Sequence, residues 1–300
     1  MSLPAPVREN TLPNASASRG AHGRLALSFH RMLDGRTQVD VTAQAPPLRM
    51  VRAFQTPDRA ALVHLHNISG GVLGGDELEV AIDVGPGARG QVTTAGATRV
   101  YRHRSGRRDA VQRTHVHIAS GALLEYLPDP LIPFAGSRYR QETNFHLAQD
   151  ATLFAWDVIS PGREARGEVF AYERLALQMR IETNDGPILL EEAMLEPARQ
   201  ALAAPPRLGR YRTLATLYVC QPGAEPETWR TLETELATLA AELTRPHETL
   251  WGASPLVAHG LIVRGVARQG RHLVEGLPRF WRAAKRTLCQ AEALMPRKIY

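Results

Sequence analysis

The amino-acid sequence predicts a mainly β protein whose helices gather near the C-terminal end. Three observations carry that prediction. Apolar and polar residues alternate with period two over most of residues 23–190, Gly, Pro and Asn turn chemistry punctuates the alternation, and beyond residue 191 two segments change to helical spacing. More than a dozen short strands followed by helices define the class. Periodicity does not choose among sandwich, barrel and solenoid, because no fixed repeat length emerges.

Residues 1–21, rich in Pro, Ser, Ala and Asn and without periodicity, are expected to form a disordered tail, and residues 22–300 a single domain. A chain of 300 residues buries roughly 75% of its unfolded surface, enough for a core without covalent staples. Strands are predicted over residues 25–29, 39–41, 61–66, 78–84, 111–118 and 143–147. Gly85-Pro86-Gly87, Ser120-Gly121 and Pro161-Gly162 interrupt such runs, and Asn184-Asp185-Gly186-Pro187 suits a hairpin turn. A short helix is expected over residues 196–204, stopping before Pro205-Pro206, and then a strand over 213–219. Pro226-Glu227 opens a helix of about residues 226–245 with Leu232, Leu236, Leu239 and Leu243 on one face. Pro278 opens another, about 278–294, carrying Phe280, Ala284, Leu288, Cys289 and Ala291. Residues 256–267 between them read as a strand pair.

The net charge is +6, and of the 36 basic residues only Lys285 and Lys298 are lysines. An arginine-rich surface seeks acidic partners. No nucleic-acid recognition motif is present and few aromatics cluster for base stacking, so an acidic protein is the expected partner, not nucleic acid. Cys220 and Cys289 form no disulfide framework and are expected to be reduced, buried thiols. No apolar leader opens the sequence and no apolar run approaches the ~20 residues that cross a bilayer, so a cytoplasmic protein without membrane contact is expected. Nucleophile elbow, phosphate loop, zinc-protease helix and dinucleotide fingerprint are all missing, which argues against an enzyme.

Several residues are placed to carry chemistry. In Ser69-Gly70-Gly71-Val72-Leu73-Gly74-Gly75-Asp76 four glycines allow a tight fold that sets Asp76 at the mouth of a strand, as a turn cap or as a ligand. Glu125, flanked by Leu123, Leu124, Tyr126 and Leu127, must be paired, protonated or facing a metal. Asp129 is held between Pro128 and Pro130, and Thr93 and Thr94 put adjacent hydroxyls at a strand end. Gln141 and Glu142 add polar groups to another strand. Arg163, Arg166 and Glu168 follow a Pro-Gly turn, with Asp157 on the preceding strand, and form either an internal salt-bridge lattice or a docking surface. His64 with His66, and His115 with His117, each point to one side of a strand; imidazole suits nickel, copper or zinc, yet these pairs are expected on the wetter face.

Five strings stand in order: Ser69 to Asp76; Thr93-Thr94-Ala95-Gly96-Ala97-Thr98-Arg99-Val100-Tyr101-Arg102; Leu124-Glu125-Tyr126-Leu127-Pro128-Asp129-Pro130; Ile132-Pro133-Phe134-Ala135-Gly136; and Pro161 to Phe170. In that order and spacing the sequence resembles the UreD (UreH) family of urease accessory proteins, from about Arg24 to about Pro296. The resemblance implies stacked β-sheets in a helix-like arrangement with a pair of C-terminal α-helices. It also implies a non-catalytic maturation factor that binds the urease apoprotein, the accessory protein UreF and the GTPase UreG, and helps deliver nickel. No tightly bound cofactor is expected, only transient Ni(II). Oxygen ligands such as Asp76, Glu125 and Asp129, aided by Thr93 or Thr94, would hold nickel weakly enough to release it along an internal polar passage. Where the family commonly reads Thr-Thr-Gln-Ala-Ala with a Lys before the aromatic pair, this chain has Ala95, Gly96 and Arg99. Two other readings stay open: a pure interaction scaffold, and a hydrolase built on Glu125 and Asp129.

Overall fold

A computed structural model describes residues 20–296; residues 1–19 and 297–300, including nearly all of the expected tail, lie outside the described residues. The chain runs through β1 (His22–Arg31), β2 (Thr37–Ala45), β3 (Leu48–Arg49), β4 (Ala53–Gln55), β5 (Ala61–Asn67), β6 (Glu77–Val84), β7 (Arg89–Thr94), β8 (Thr98–Val100) and β9 (Ala110–Ile118). It continues with β10 (Leu123–Tyr126), β11 (Leu131–Pro133), β12 (Arg138–Leu147), β13 (Thr152–Ile159), β14 (Arg174–Thr183), β15 (Gly186–Leu195) and β16 (Thr213–Cys220). The last elements are α1 (Pro226–Leu243), β17 (Thr249–Pro255), β18 (Gly260–Ala267) and α2 (Gly270–Cys289). The protein is mainly β with two helices at the C-terminal end, as the alternation predicts.

One sheet has the order β15-β14-β12-β9-β6-β1-β2, and the other β17-β18-β16-β13-β10-β7-β5-β3 with β4, β8 and β11 alongside. Pairing is parallel from β1 through β6, β9 and β12 to β14, and again from β5 through β7 and β10 to β13. Parallel neighbours need a crossover connection. Here the crossover of each sheet is a strand of the other, so that one circuit of chain adds a strand to both. Antiparallel pairs flank these stacks: β1 with β2, β14 with β15, and β16 with β18 and β17.

Alternation along each strand decides the layers. Leu78, Val80, Ile82 and Val84 of β6 point between the sheets and join Leu25, Phe29, Tyr139 and Phe145 in one core. Strands β10 and β13 are buried on both faces, because the helices cover their far side. There Phe154, Trp156 and Leu217 meet Leu232 and Leu236 of α1 and Phe280 and Trp281 of α2 in a second core.

Three local expectations need correction. Helix α2 begins at Gly270 rather than at Pro278, ends at Cys289, and carries Pro278 inside it. The apolar stripe Leu273, Leu277, Phe280, Trp281 and Ala284 runs through the proline, and its burial outweighs the lost backbone hydrogen bond. Residues 196–204 form turns and not a helix, with the Arg199 and Gln200 amides both donating to the Glu196 carbonyl. So short a segment needs a buried face to hold a helix, and only Leu202 is buried there. The strand pair expected over 256–267 is the hairpin β17–β18, whose first strand ends at Pro255.

Candidate functional site

The sequence strings stack at one corner of the winding. Val72 donates its amide to the Arg99 carbonyl at 2.7 Å, Tyr101 to Val72 at 2.9 Å, Phe134 to Val100 at 2.9 Å, and Gly136 to Ala171 at 2.8 Å. Asp76 closes the first turn: one carboxylate oxygen accepts the Ala21 amide and the other the Leu73 amide, each at 2.9 Å. The turn needs glycine at Gly75, which has φ +88°. Farther along, Arg163 grips Glu168 through two nitrogens and lies 4.1 Å from the Phe134 ring centroid, while Glu168 also accepts the Ala135 amide at 3.1 Å. The Arg163 hydrogen bonds hold the Glu168 carboxyl below its ordinary range. This is an internal lattice; Arg166 stands apart from it, exposed.

A cavity of about 400 Å³ lies between the two sheets. Asp157 faces it, two residues beyond buried Ala155 on the inner face of β13 and away from the Arg163 lattice. Gln141 and Gln112, paired across β12 and β9, line it too, with Glu191, Tyr126 and Tyr218. Glu191 accepts the Tyr218 hydroxyl at 3.1 Å and pairs with Arg264 at 3.3 Å. Burial pushes the Asp157 carboxyl up to about 7, against a hydrogen bond from Gln141 that lowers it, and the nearby Glu191 charge adds to the rise. Asp157 is half-buried, on the wall of a cavity that is itself partly open. Asp129 and Thr94 close the same cavity together: the Asp129 amide donates to the Thr94 hydroxyl at 2.9 Å, and that hydroxyl lies 3.3 Å from the Asp129 carboxylate.

Asp76, Glu125 and Thr93 are not among the residues lining this cavity. Glu125 points to the other face of β10, where it is buried against α2. Its carboxylate receives Lys285 at 2.9 Å, the Trp281 ring N–H at 2.9 Å and the Gln91 amide at 3.0 Å; Lys285 also reaches Asp58 at 3.4 Å. Burial raises the Glu125 carboxyl above its usual range, with Lys285 opposing. Thr93 lies on that same face and donates to the Leu127 carbonyl at 2.7 Å.

The histidine pairs divide. His64 is buried, contrary to the expected wet placement, in edge-to-face contact at 5.8 Å with Phe54 of β4, the short strand paired beside β5. His66 borders the cavity. His115 and His117 stand on the outer face, where His117 pairs with Asp83 at 3.1 Å and stacks on His146 at 5.5 Å. Among the described residues, no group of three or more His, Cys, Asp or Glu is arranged to hold a metal ion.

Asp157 is the cavity residue whose position the sequence hid, since Leu153-Phe154-Ala155-Trp156-Asp157-Val158-Ile159 is apolar on both sides of it. The signal was the one that singles out Glu125, a carboxylate within an apolar run. Glu191 was missed outright. Its clue is a charge entering the inward-facing positions of an otherwise alternating hairpin strand.

No helix among the described residues is long and apolar enough to cross a membrane. The family model described as UreD urease accessory protein matches residues 21–299. A protein named urease accessory protein UreD from Herpetosiphon aurantiacus is 43% identical over 93% of this chain and 96% of its own length. Proteins of the same name from Sorangium cellulosum and Opitutus terrae are 36% and 33% identical, over 87% and 92% of this chain. A match that spans both sheets and the helix pair, and takes in every string stacked at the corner, places this chain in the UreD family of urease accessory proteins.

Proposed function

We propose that this chain is a cytoplasmic urease maturation factor that binds the urease apoprotein together with UreF and the GTPase UreG, and that nickel bound for the urease active site passes through the cavity between its sheets. The observation that carries the reading is the placement of Asp157, Glu191 and the Asp129–Thr94 pair around one cavity at the centre of a chain that matches the family throughout. Nickel is cargo here, not a resident cofactor. Separate oxygen donors, with glutamine amides and tyrosine hydroxyls between them, accept a divalent ion weakly, and weak sites in series favour release. Asp76, Glu125 and Thr93 stay outside the proposed route, since they serve the turn, the helix pair and a carbonyl.

The test is co-expression with urease and its other accessory proteins. Asp157→Ala and Asp129→Ala are expected to leave co-purification with the apoprotein intact while lowering the nickel content of the matured urease. Full nickel loading by both variants overturns the passage and favours a scaffold that only holds the complex together.

A further inference from the structure

We propose that the arginine-lined corner of the winding is a docking surface for an acidic segment of a partner protein, one that carries apolar side chains among its carboxylates. Five exposed arginines stand there: Arg102, Arg104, Arg108 and Arg166, together with Arg99, which also borders the cavity. The stacking of the corner loops brings them together. Arg102 lies along Gly136, with its Cγ 3.4 Å from where a Cβ would be, and the Arg108 carbonyl lies over Gly74. Arg166 ends the short turn Glu164–Arg166, which begins next to the guanidinium covering Phe134.

The carboxylates of the same corner are already engaged. Asp76 accepts two backbone amides, Glu168 holds Arg163, Asp109 holds Arg174, and Glu164 lies 3.6 Å from Arg212. Among the described residues Arg99, Arg104, Arg108 and Arg166 have no carboxylate partner, while Arg102, whose hydrogen bond is to the Ala135 carbonyl at 3.4 Å, shares the Glu168 charge with Arg163. The corner therefore shows positive charge that its own acids do not neutralise, and planar guanidinium groups match carboxylates two bonds at a time. Exposed Leu73, on the turn that Asp76 closes, and exposed Ile68, on the Asn67–Gly70 turn before it, supply the apolar contacts.

Protein is favoured over nucleic acid by the state of the aromatic rings. Tyr101 packs edge-to-face on Phe134 at 5.1 Å, and Arg163 lies over Phe134, so the two rings are set against each other and a guanidinium rather than side by side as platforms for successive bases. The inference stands on this outer surface and does not require nickel to cross the cavity.

The experiment titrates a fluorescein-labelled peptide of Glu and Asp interspersed with Leu onto the full chain, followed by anisotropy, beside single-stranded oligothymidine of the same net charge. The expected result is saturable peptide binding that the triple variant Arg104→Glu, Arg108→Glu, Arg166→Glu weakens roughly tenfold or more, and that added salt also weakens. Arg282→Glu, an exposed arginine on α2, is expected to leave it unchanged. Unaltered peptide affinity in the triple variant overturns the proposal. So does an equal loss in Arg282→Glu, or tighter binding of the oligonucleotide than of the peptide. None of these readouts involves nickel, so failure here leaves the passage untouched, and full nickel loading in the cavity variants leaves the corner untouched.

Discussion

At Asp157 the cavity wall keeps the proton on the carboxyl up to about pH 7, against an ordinary value of 3.8. Between those values the folded chain binds more protons at this site than the unfolded chain, so the contribution to stability is fullest in acid and declines as pH rises through 7. The whole effect amounts to at most about 4 kcal/mol. Asp157→Asn should flatten the change in urea midpoint between about pH 5 and pH 8, measured with chelator present, and a wild-type slope in the variant would contradict the assignment. Asp76 poses the opposite case, a carboxylate whose two oxygens each answer a backbone amide. Asp76→Ala leaves the Ala21 and Leu73 amides without acceptors and should cost about 2–4 kcal/mol, Asp76→Asn less, in equilibrium unfolding. Local chemistry makes Asp76 legible, because glycines followed by Asp spell a turn whatever surrounds them. The faces of Glu125 and Asp157 were not legible. A strand covered on both sides loses the polar alternation that would say which carboxylate meets the helices and which the cavity.

Helix α2 shows a similar limit for elements. Gly270, Gly276 and Pro278 read as breakers in sequence, yet Gly276 is where the helix meets Trp251 of β17: a Cβ added there would lie 2.4 Å from the indole, and one added at Gly265 of β18 would lie 2.5 Å from its other side. Trp251 thus sits in a slot between two glycines. Gly276→Ala should destabilise by about 1–3 kcal/mol through overpacking, whereas Gly252→Ala, with open space at its Cβ, should not, as thermal unfolding would show. The other anchor of this helix is Lys285 on Glu125. Removing one partner leaves a buried charge, so Lys285→Met alone should cost about 3–5 kcal/mol, and pairing it with Glu125→Leu should recover part of that. A double variant no better than the single one would show that the ion pair does not act as a unit. The α1 stripe was readable because Leu232, Leu236 and Ala240 repeat along one face with no breaker among them.

For the molecule as a whole, the winding was hidden by its own irregularity. Leu78 faces Gln112, Gln112 faces Gln141 and Gln141 faces Leu177 on successive circuits, so the distance along the chain differs each time and no repeat period stands out. What sequence did carry was class and content, through alternation and turn chemistry. The cavity is likewise a property of the assembled sheets, made where Asp157, Glu191 and the glutamines enter a space that hydrocarbon fills elsewhere between them. That origin separates two ways in which cavity variants could impair nickel delivery. Substituting an acid alters both charge and local structure, whereas narrowing the space leaves every donor in place. Ala193 of β15 lines the cavity beside Glu191 on the same strand. A cavity of about 400 Å³ has room for an aromatic ring, so Ala193→Phe should fold and still co-purify with the apoprotein. If the cavity is the route, this variant lowers the nickel content of matured urease as Asp157→Ala does, while Ala193→Ser loads normally. Full loading in Ala193→Phe alongside poor loading in Asp157→Ala would mean that the acid acts through structure, and that nickel travels outside the sheets.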